Sequence, residues 1–338
     1  MDSIIITGLL AYGMSGKVFH APFLEAHPGF RLHAITERNQ KKAQQDYPSL
    51  ISYDSVEELL DDPAIQLVVI NTPNFNHVEY SKRALLKGKH ILVEKPFAAT
   101  AAEAQEVFDL AKSLGKQVFV YQNRRWNSDF ISVKKVIEAG SLGKLNEVHF
   151  RYDRYRNEIG PKTFKEEPMP ASGLLYDLGS HLLDQAISLF GKPMSYHKIL
   201  GKNRVGTQVD DYFSIHLSYA DSVNVFLHGN MLVADPQAAY VLHGTNGSFI
   251  KDRTDVQEDQ LLKGMKPTDP SYALEEEGMA GKLTLIDEKG NKTQSFIAAE
   301  KGKYPELFEA VYESLTQGKA YPVKEEEILW QLEILESE

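Results

Sequence analysis

Short apolar runs alternate with amphipathic stretches along the first third of the chain. Residues 3–7, 67–70 and 90–93 are almost wholly apolar, and 30–35 and 117–121 are rich in apolar and aromatic residues. Such runs read as strands buried on both faces. Between them lie predicted helices at 16–27, 39–47, 56–60 and 77–87. Pro28-Gly29 stops the first and Pro48 the second. Ser55 with Glu58, and Thr100 with Glu103, have capping-box spacing for helices starting at 56 and 101. Gly88 and Gly115 stand where a left-handed C-terminal residue is wanted. Repeated strand–helix–strand units predict an α/β fold with a parallel, doubly wound sheet.

Past Tyr121 the period changes. Val148, Phe150 and Tyr152 alternate with polar residues, as do Phe213, Ile215, Leu217 and Tyr219, then Val223, Val225 and Leu227. Alternation with period two predicts half-buried antiparallel strands. Asn246-Gly247 and Lys289-Gly290-Asn291 read as hairpin turns. A helix over 175–190 interrupts the strands and stops at Gly191 and Pro193. Residues 251–278 are charged and hold two prolines, and read as an excursion or mobile loop. Two helical patterns, 305–315 and 325–335, close the chain. The pattern divides the chain into a first domain over 1–122 and a second over 123–338, with the last helices free to pack back on the first domain.

Composition narrows the function. The chain has 338 residues, enough for about two domains. With 42% hydrophobic and 25% charged residues it has the makings of an ordinary core. A net charge of −10 argues against nucleic acid or an anionic membrane as partner, since both call for a basic footprint. No stretch has the length and apolarity of a membrane span, and the apolar N-terminus lacks the basic lead-in of a signal peptide. With no cysteine, thiolate nucleophiles, disulfides and cysteine metal sites are excluded. A cytoplasmic enzyme is the simplest reading.

The first strand runs into Gly8-Leu9-Leu10-Ala11-Tyr12-Gly13-Met14-Ser15-Gly16. The dinucleotide fingerprint G-x-G-x-x-G joins a strand to a helix, and Ala11, Gly13 and Gly16 hold its three positions, with Gly8 upstream. Gly13 lets backbone approach a pyrophosphate, and Gly16 lets helix and strand pack closely. The helix start then offers free N–H groups to phosphate. Ala11 departs from the pattern where the first glycine makes the tight turn. Glu37 ends the second strand about twenty residues past Gly16, where a carboxylate accepts the ribose 2′-OH of NAD. Arg38 follows; it can stack on adenine, or pair with the 2′-phosphate of NADP if Glu37 turns away. The pair leans to NAD and leaves NADP open.

Asn71-Thr72-Pro73-Asn74 and Glu94-Lys95-Pro96 each follow a predicted strand, at the edge where open α/β sheets bind ligands. Pro96 keeps Lys95 extended. A lysine there can donate a hydrogen bond to a reacting oxygen and stabilise alkoxide charge, though most lysines are simply solvated. Farther on, Asp177-Leu178-Gly179-Ser180-His181 lies in a helical pattern. A spacing of four puts Asp177 and His181 on one face, where a histidine can take a hydroxyl proton and a carboxylate can orient it. An ordinary surface ion pair has the same spacing. Metal-ligand pairs such as H-E-x-x-H are missing, so no metal is expected.

In this order and separation, residues 8–22, Glu94-Lys95-Pro96 and Asp177 to His181 resemble the glucose–fructose oxidoreductase / inositol dehydrogenase / rhizopine-catabolism (Gfo/Idh/MocA) family. The resemblance covers essentially the whole chain. Residues 122–126, 153–156 and 176–185 look like a bacterial subgroup that includes scyllo-inositol dehydrogenases. The resemblance implies a Rossmann domain and a C-terminal α/β domain with a large, mostly antiparallel sheet, whose open face makes a homodimer or homotetramer. It implies Lys95, Asp177 and His181 as catalytic, and NAD or NADP as cofactor. Tyr12, Met14, Ser15, Asn71, Thr72, Pro73, Asn74, His77, Glu94, Lys95 and Asn123 match positions near that cofactor. It also implies a Lys95–Pro96 bond able to be cis.

The mechanism that follows is hydride transfer from a secondary alcohol of a cyclitol or sugar bound between the domains. His181 takes the hydroxyl proton, Lys95 holds the oxygen, and Asp177 orients His181 or a second hydroxyl. Tyr155 and Arg156 are weaker substrate candidates. The alternatives are a dinucleotide-binding sensor of sugar metabolism on the same fold and an enzyme for a non-sugar substrate such as a dihydrodiol.

Overall fold

The computed structural model describes residues 4–161 and 163–338; Ser3, the first residue of the predicted first strand, lies outside them. Six strands form one parallel sheet: β1 (Ile5–Leu9), β2 (Phe30–Thr36), β3 (Ile51–Tyr53), β4 (Leu67–Ile70), β5 (His90–Glu94) and β6 (Val118–Tyr121). Their order is β3-β2-β1-β4-β5-β6. The chain reverses direction across the sheet between β1 and β4, and open α/β sheets bind ligands at the carboxyl ends beside such a switch point. All four residues of β4 are fully buried, as its unbroken apolar run requires.

Helix starts follow the capping signals with one adjustment. Thr100 and Glu103 close a full capping box on the helix Ala101–Ser113. Ser55 Oγ accepts from the Glu58 N–H at 3.2 Å, but the Glu58 carboxylate reaches one residue farther back, to the Asp54 N–H at 3.0 Å. The predicted helix at 39–47 contracts to Ala43–Asp46. Its first donors are satisfied by the Glu37 carboxylate rather than by a local cap, so the helix begins where Glu37 can reach. The short strand β3 follows it, unannounced by any alternation.

Eight strands form the second sheet: β7 (Leu145–Asp153), β8 (Ser195–Gly201), β9 (Tyr212–Ser218), β10 (Asn224–Asn230), β11 (Tyr240–Gly244), β12 (Gly247–Lys251), β13 (Gly281–Ile286) and β14 (Lys292–Ile297). Their order is β14-β13-β12-β11-β7-β10-β9-β8. Every pairing is antiparallel except β7 with β10. One face buries Val148, Phe150, Phe213, Ile215, Leu217, Val225, Leu227, Tyr240, Leu242 and Phe249 beneath the helices Ser128–Glu138 and Ser180–Phe190. On the other face Phe226 stacks between His216, at 4.5 Å, and His149, at 5.0 Å.

Two compact units divide the chain. One comprises Met1–Asn123, Gln257–Tyr272 and Lys303–Leu329; the other comprises Arg124–Val256, Ala273–Gly302 and Trp330–Glu338. In the first, Phe23 stacks on Phe308 of the helix Tyr304–Gln317 at 5.1 Å and meets Tyr272 and Tyr304 edge-on. The charged stretch 251–278 is therefore a packed segment, not a loose excursion. It contains the helix Gln257–Leu262. Gln257 is buried and its side-chain oxygen accepts from the Tyr304 N–H at 2.9 Å. The charges that made the stretch look solvated are partly internal. Lys251 Nζ and Glu275 Oε2 pair at 2.8 Å with side-chain exposures of 0% and 3%.

Removing one partner of a buried pair strands the other charge. Glu275→Ala should destabilise the protein by about 3–5 kcal/mol, read as a lower denaturation midpoint with an unchanged slope. A loss below about 1 kcal/mol, the figure for a surface pair, would show that Lys251 finds water instead.

Candidate active site

The turn after β1 is braced from β4. Asn71 Oδ1 accepts from the Ala11 N–H at 3.1 Å, and its Nδ2 donates to the Ala11 carbonyl at 2.8 Å. Asn71 thus spends its amide on the turn and supports it from behind. Ala11 makes the turn without glycine because this side-chain bridge holds its backbone. A Cβ on Gly16 would strike the Ala11 carbonyl oxygen and Asn71 Nδ2, so close packing does require glycine there. Gly13 meets nothing within 4 Å and is exposed, which is the open backbone a pyrophosphate needs. Gly8 has another role: it lies buried inside β1, and a Cβ would crowd Leu59 and Ile65.

The following helix covers residues 14–26, with Gly16–His20 wound as a π-helix. Ser15, ahead of the π segment, makes no side-chain capping bond, which leaves the N–H groups there to phosphate. Met14 is exposed beside them. Tyr12 donates to Asp46 Oδ2 at 2.7 Å, and Lys17 pairs with the same oxygen at 2.8 Å. Burial, with Asp46 alongside, pushes the Tyr12 phenol far above its ordinary range. Past β4, Thr72 Oγ1 is buried with no hydrogen-bond partner among the described residues. Pro73 and Asn74 lead into the single turn Asn74–Asn76. An open Gly13, an uncapped helix start and an orphaned hydroxyl at the same sheet edge fit a dinucleotide.

Glu37 does not offer a free carboxylate to a ribose. Its oxygens accept from the backbone N–H groups of Lys42 (2.9 Å) and Ala43 (3.2 and 3.3 Å), and from Ser52 Oγ (3.2 Å). The side chain is buried and serves as the cap of the next helix. The premise of the lean to NAD is removed. Arg38 and Lys42 are exposed beside it, with no ion-pair partner among the described residues.

At the end of β5 the Glu94 carboxylate is enclosed. It accepts from Ser15 Oγ at 2.6 Å, from His20 Nε2 at 2.9 Å and from the Lys95 N–H at 3.3 Å. Burial alone would raise the Glu94 pKa; the His20 bond, the Ser15 hydroxyl and the Lys95 ammonium outweigh it and hold the carboxyl below its ordinary value. Lys95 is half-buried and its bond to Pro96 is cis. His77 braces this edge: its ring nitrogens lie 2.8 Å from the Pro96 carbonyl and 3.0 Å from the Thr72 carbonyl. Burial pulls His77 below its ordinary pKa against those two carbonyls. Asn123, buried, follows β6 on the same edge. His20 had no signature in the sequence; a histidine inside an amphipathic helix reads as packing.

In the second unit the D-x-x-x-H stretch is not one plain helix. Leu175–Gly179 is π-helical and carries Asp177, and Ser180–Phe190 is α-helical and carries the buried His181. Asp210 holds its start, accepting from the Leu175 N–H at 2.6 Å; burial raises the Asp210 pKa. Lys165 Nζ pairs with Asp177 Oδ1 at 2.6 Å, a partner the sequence did not reveal. Farther along, Arg125 grips Asp184 with two bonds, 2.9 and 2.7 Å, at side-chain exposures of 10% and 2%. Arg204 joins Glu166, next to Lys165, to the buried Asp211. Tyr155 and Arg156 are exposed after β7, where the Arg156 N–H donates to the Met231 carbonyl at 2.7 Å. Lys95 belongs to the first unit, and Asp177 and His181 to the second.

Among the described residues no helix is long and apolar enough to cross a membrane. The family model for the oxidoreductase NAD-binding Rossmann fold matches residues 4–122, and the model for that family's C-terminal alpha/beta domain matches residues 134–337. The chain is 36% identical to the scyllo-inositol 2-dehydrogenase (NADP(+)) of Bacillus subtilis, with 100% of this chain and 93% of the relative covered. It is 38% identical to an uncharacterized oxidoreductase of Schizosaccharomyces pombe, covering 98% and 96%. The crystal structure of a putative oxidoreductase from Bacteroides fragilis superposes with a TM-score of 0.90 at 40% identity, covering 99% and 96%. With both domain models and full-length relatives in agreement, the chain belongs to the Gfo/Idh/MocA family of oxidoreductases.

Proposed function

We propose that the protein is a dehydrogenase that oxidises a secondary alcohol of a cyclitol or sugar, with NADP as the preferred cofactor. The observation that carries this reading is the bond from Ser15, in the first turn of the helix that follows the dinucleotide turn, to Glu94, the residue before Lys95. It supports a lysine set next to the glycine-rich turn, where a dinucleotide would dock. When bound, the nicotinamide supplies the hydride acceptor. Lys95 Nζ donates to the substrate oxygen and stabilises its negative charge. His181 takes the hydroxyl proton as the carbon-bound hydrogen leaves with its electron pair, and the alcohol becomes a carbonyl. Asp177, held by Lys165, keeps its carboxylate oriented toward His181 or a second hydroxyl. The scyllo-inositol relative supports a polyol substrate.

Support for NADP comes from the second strand. Glu37 is committed to the backbone of Lys42 and Ala43, and cannot reject a 2′-phosphate as a free carboxylate would. Exposed Arg38 and Lys42 supply the positive charge for one. The NADP(+) in the name of the Bacillus subtilis relative agrees. Assembly into a dimer or tetramer through the open face of the second sheet, around His149, Phe226 and His216, is part of the same reading.

Lys95→Ala should lower turnover about 10²–10⁴-fold and leave NADP affinity within about threefold, since its contact is made to the reacting oxygen. Undiminished turnover would remove Lys95 from the chemistry. Cofactor binding with no turnover by the unaltered protein, across a broad set of polyols, would favour a sensor. Arg38→Ala should weaken NADP binding by roughly 10–100-fold, the value of a charged hydrogen bond, and change NAD binding little. Equal effects on both cofactors, measured by calorimetry, would contradict the assignment of Arg38.

A further inference from the structure

Glu94 joins two parts of the first unit that lie 79 residues apart in sequence. Its Oε1 accepts from both Ser15 Oγ and His20 Nε2, and its Oε2 accepts from the Lys95 N–H. His20 is the less expected of these partners. Its side chain has 0% exposure. The ring tilts against Tyr121 at 4.4 Å and meets Phe308 edge-on at 6.2 Å. Tyr121 is itself fixed, donating to the Phe19 carbonyl at 2.9 Å. Nε2 faces the carboxylate at hydrogen-bond distance, so the proton is assigned to Nε2 from geometry.

The other ring nitrogen, Nδ1, is buried without a hydrogen-bond partner among the described residues. An unsatisfied buried polar atom costs about 1–3 kcal/mol. If His20 served only to fill space, phenylalanine or leucine would do so without that cost. What those residues cannot do is donate to Glu94. The π-helical segment Gly16–His20 ends on this histidine, and single-turn π segments recur at functional sites. Around it Glu94 acts on both His77 and Tyr121, and Lys95 acts on both Glu94 and His77.

We propose that His20 is a positioning residue for the chemistry at Lys95: together with Ser15 it orients the Glu94 carboxylate, which in turn fixes the Lys95 backbone and attracts its ammonium. The inference rests on the reading of Lys95 given above. It makes the start of the dinucleotide-binding helix part of the machinery that aims the lysine. The carboxylate is the shared element: His20 and Ser15 hold one oxygen, and the other is left to the lysine. Losing the His20 donor frees the carboxylate to rotate and the lysine to wander, and even small misplacement of a reacting group lowers rate steeply.

The test uses the full-length protein and two variants, His20→Ala and His20→Gln. The glutamine side chain has an N–H₂ able to donate to Glu94, but not the ring. His20→Ala should lower kcat about 10–100-fold, with NADP affinity, read by fluorescence titration, changed less than about threefold. His20→Gln should recover most of kcat even if its melting temperature is lowered, because the donor is restored while the packing is not. Full kcat in His20→Ala, or a His20→Gln variant no better than His20→Ala, overturns the proposal. If the alanine variant does not fold, kcat of the glutamine variant decides alone: at least about a third of the unaltered value supports the proposal, and less overturns it. The underlying reading fails separately: it falls if Lys95→Ala keeps full turnover. An inactive Lys95→Ala alongside an unaffected His20→Ala overturns this inference alone.

Discussion

One carboxylate, enclosed by its own bonds, sets the geometry of the first unit's ligand edge. Taking a carboxylate out of water costs several kcal/mol unless charge and hydrogen bonds replace the lost hydration. Glu94 follows the fully buried Val93 and lies close to the buried Phe97, so its replacements must come from protein. They come from the helix after the turn and from the strand's own end: Ser15 and His20 on that helix, and the Lys95 N–H. Because all three must be satisfied at once, the turn after β1, the π-helical start of the next helix and the end of β5 are locked in one arrangement. Asn71 adds the β4 edge by gripping Ala11. The switch point of the sheet is thus stitched by two side chains, one charged and one neutral.

The second unit uses the same economy on its own helix. Asp210 holds the first turn, Asp177 meets Lys165, and Arg125 forks onto Asp184. Lys165 is placed by its neighbour Glu166, which Arg204 ties to the buried Asp211. These bonds tie Leu175–Gly179, which carries Asp177, and Ser180–Phe190, which carries His181, to neighbouring parts of the unit. In both units the winding relaxes to π where these residues sit. A wider turn changes which side chains share a face, and it is found where polar groups rather than apolar ones decide the packing.

Much of the fold was legible because its signals were local. The apolar runs at 67–70 and 90–93 and the Thr100–Glu103 box need only a few neighbouring residues to specify them. Alternation marked β7, β9 and β10. What escaped was specified from a distance. The helix starting at Ala43 depends on a carboxylate six residues earlier, β3 has only three residues, and the stretch around Lys251 hides its charge in a pair with Glu275. The candidate site divides in the same way. Gly16 could be read from its spacing, and Ala11 was the visible departure. The partners that give each residue its role, namely Asn71 for Ala11, His20 for Glu94 and Lys165 for Asp177, are tertiary facts with no local period. Glu37 shows the hazard most plainly: its position suggested a ribose contact, and its neighbours gave it a cap to make instead.

The claim that ties these observations together is that the Glu94 carboxylate, by its charge and its bonds, aims Lys95. Glu94→Gln keeps the size of the side chain and removes the charge, so the pH dependence of kcat/KM with a turned-over polyol tests it directly. Turnover should fall at least about tenfold, and the alkaline limb should move to lower pH, because a carboxylate no longer favours the lysine's charged form. A variant with unaltered turnover and an unmoved alkaline limb would contradict it.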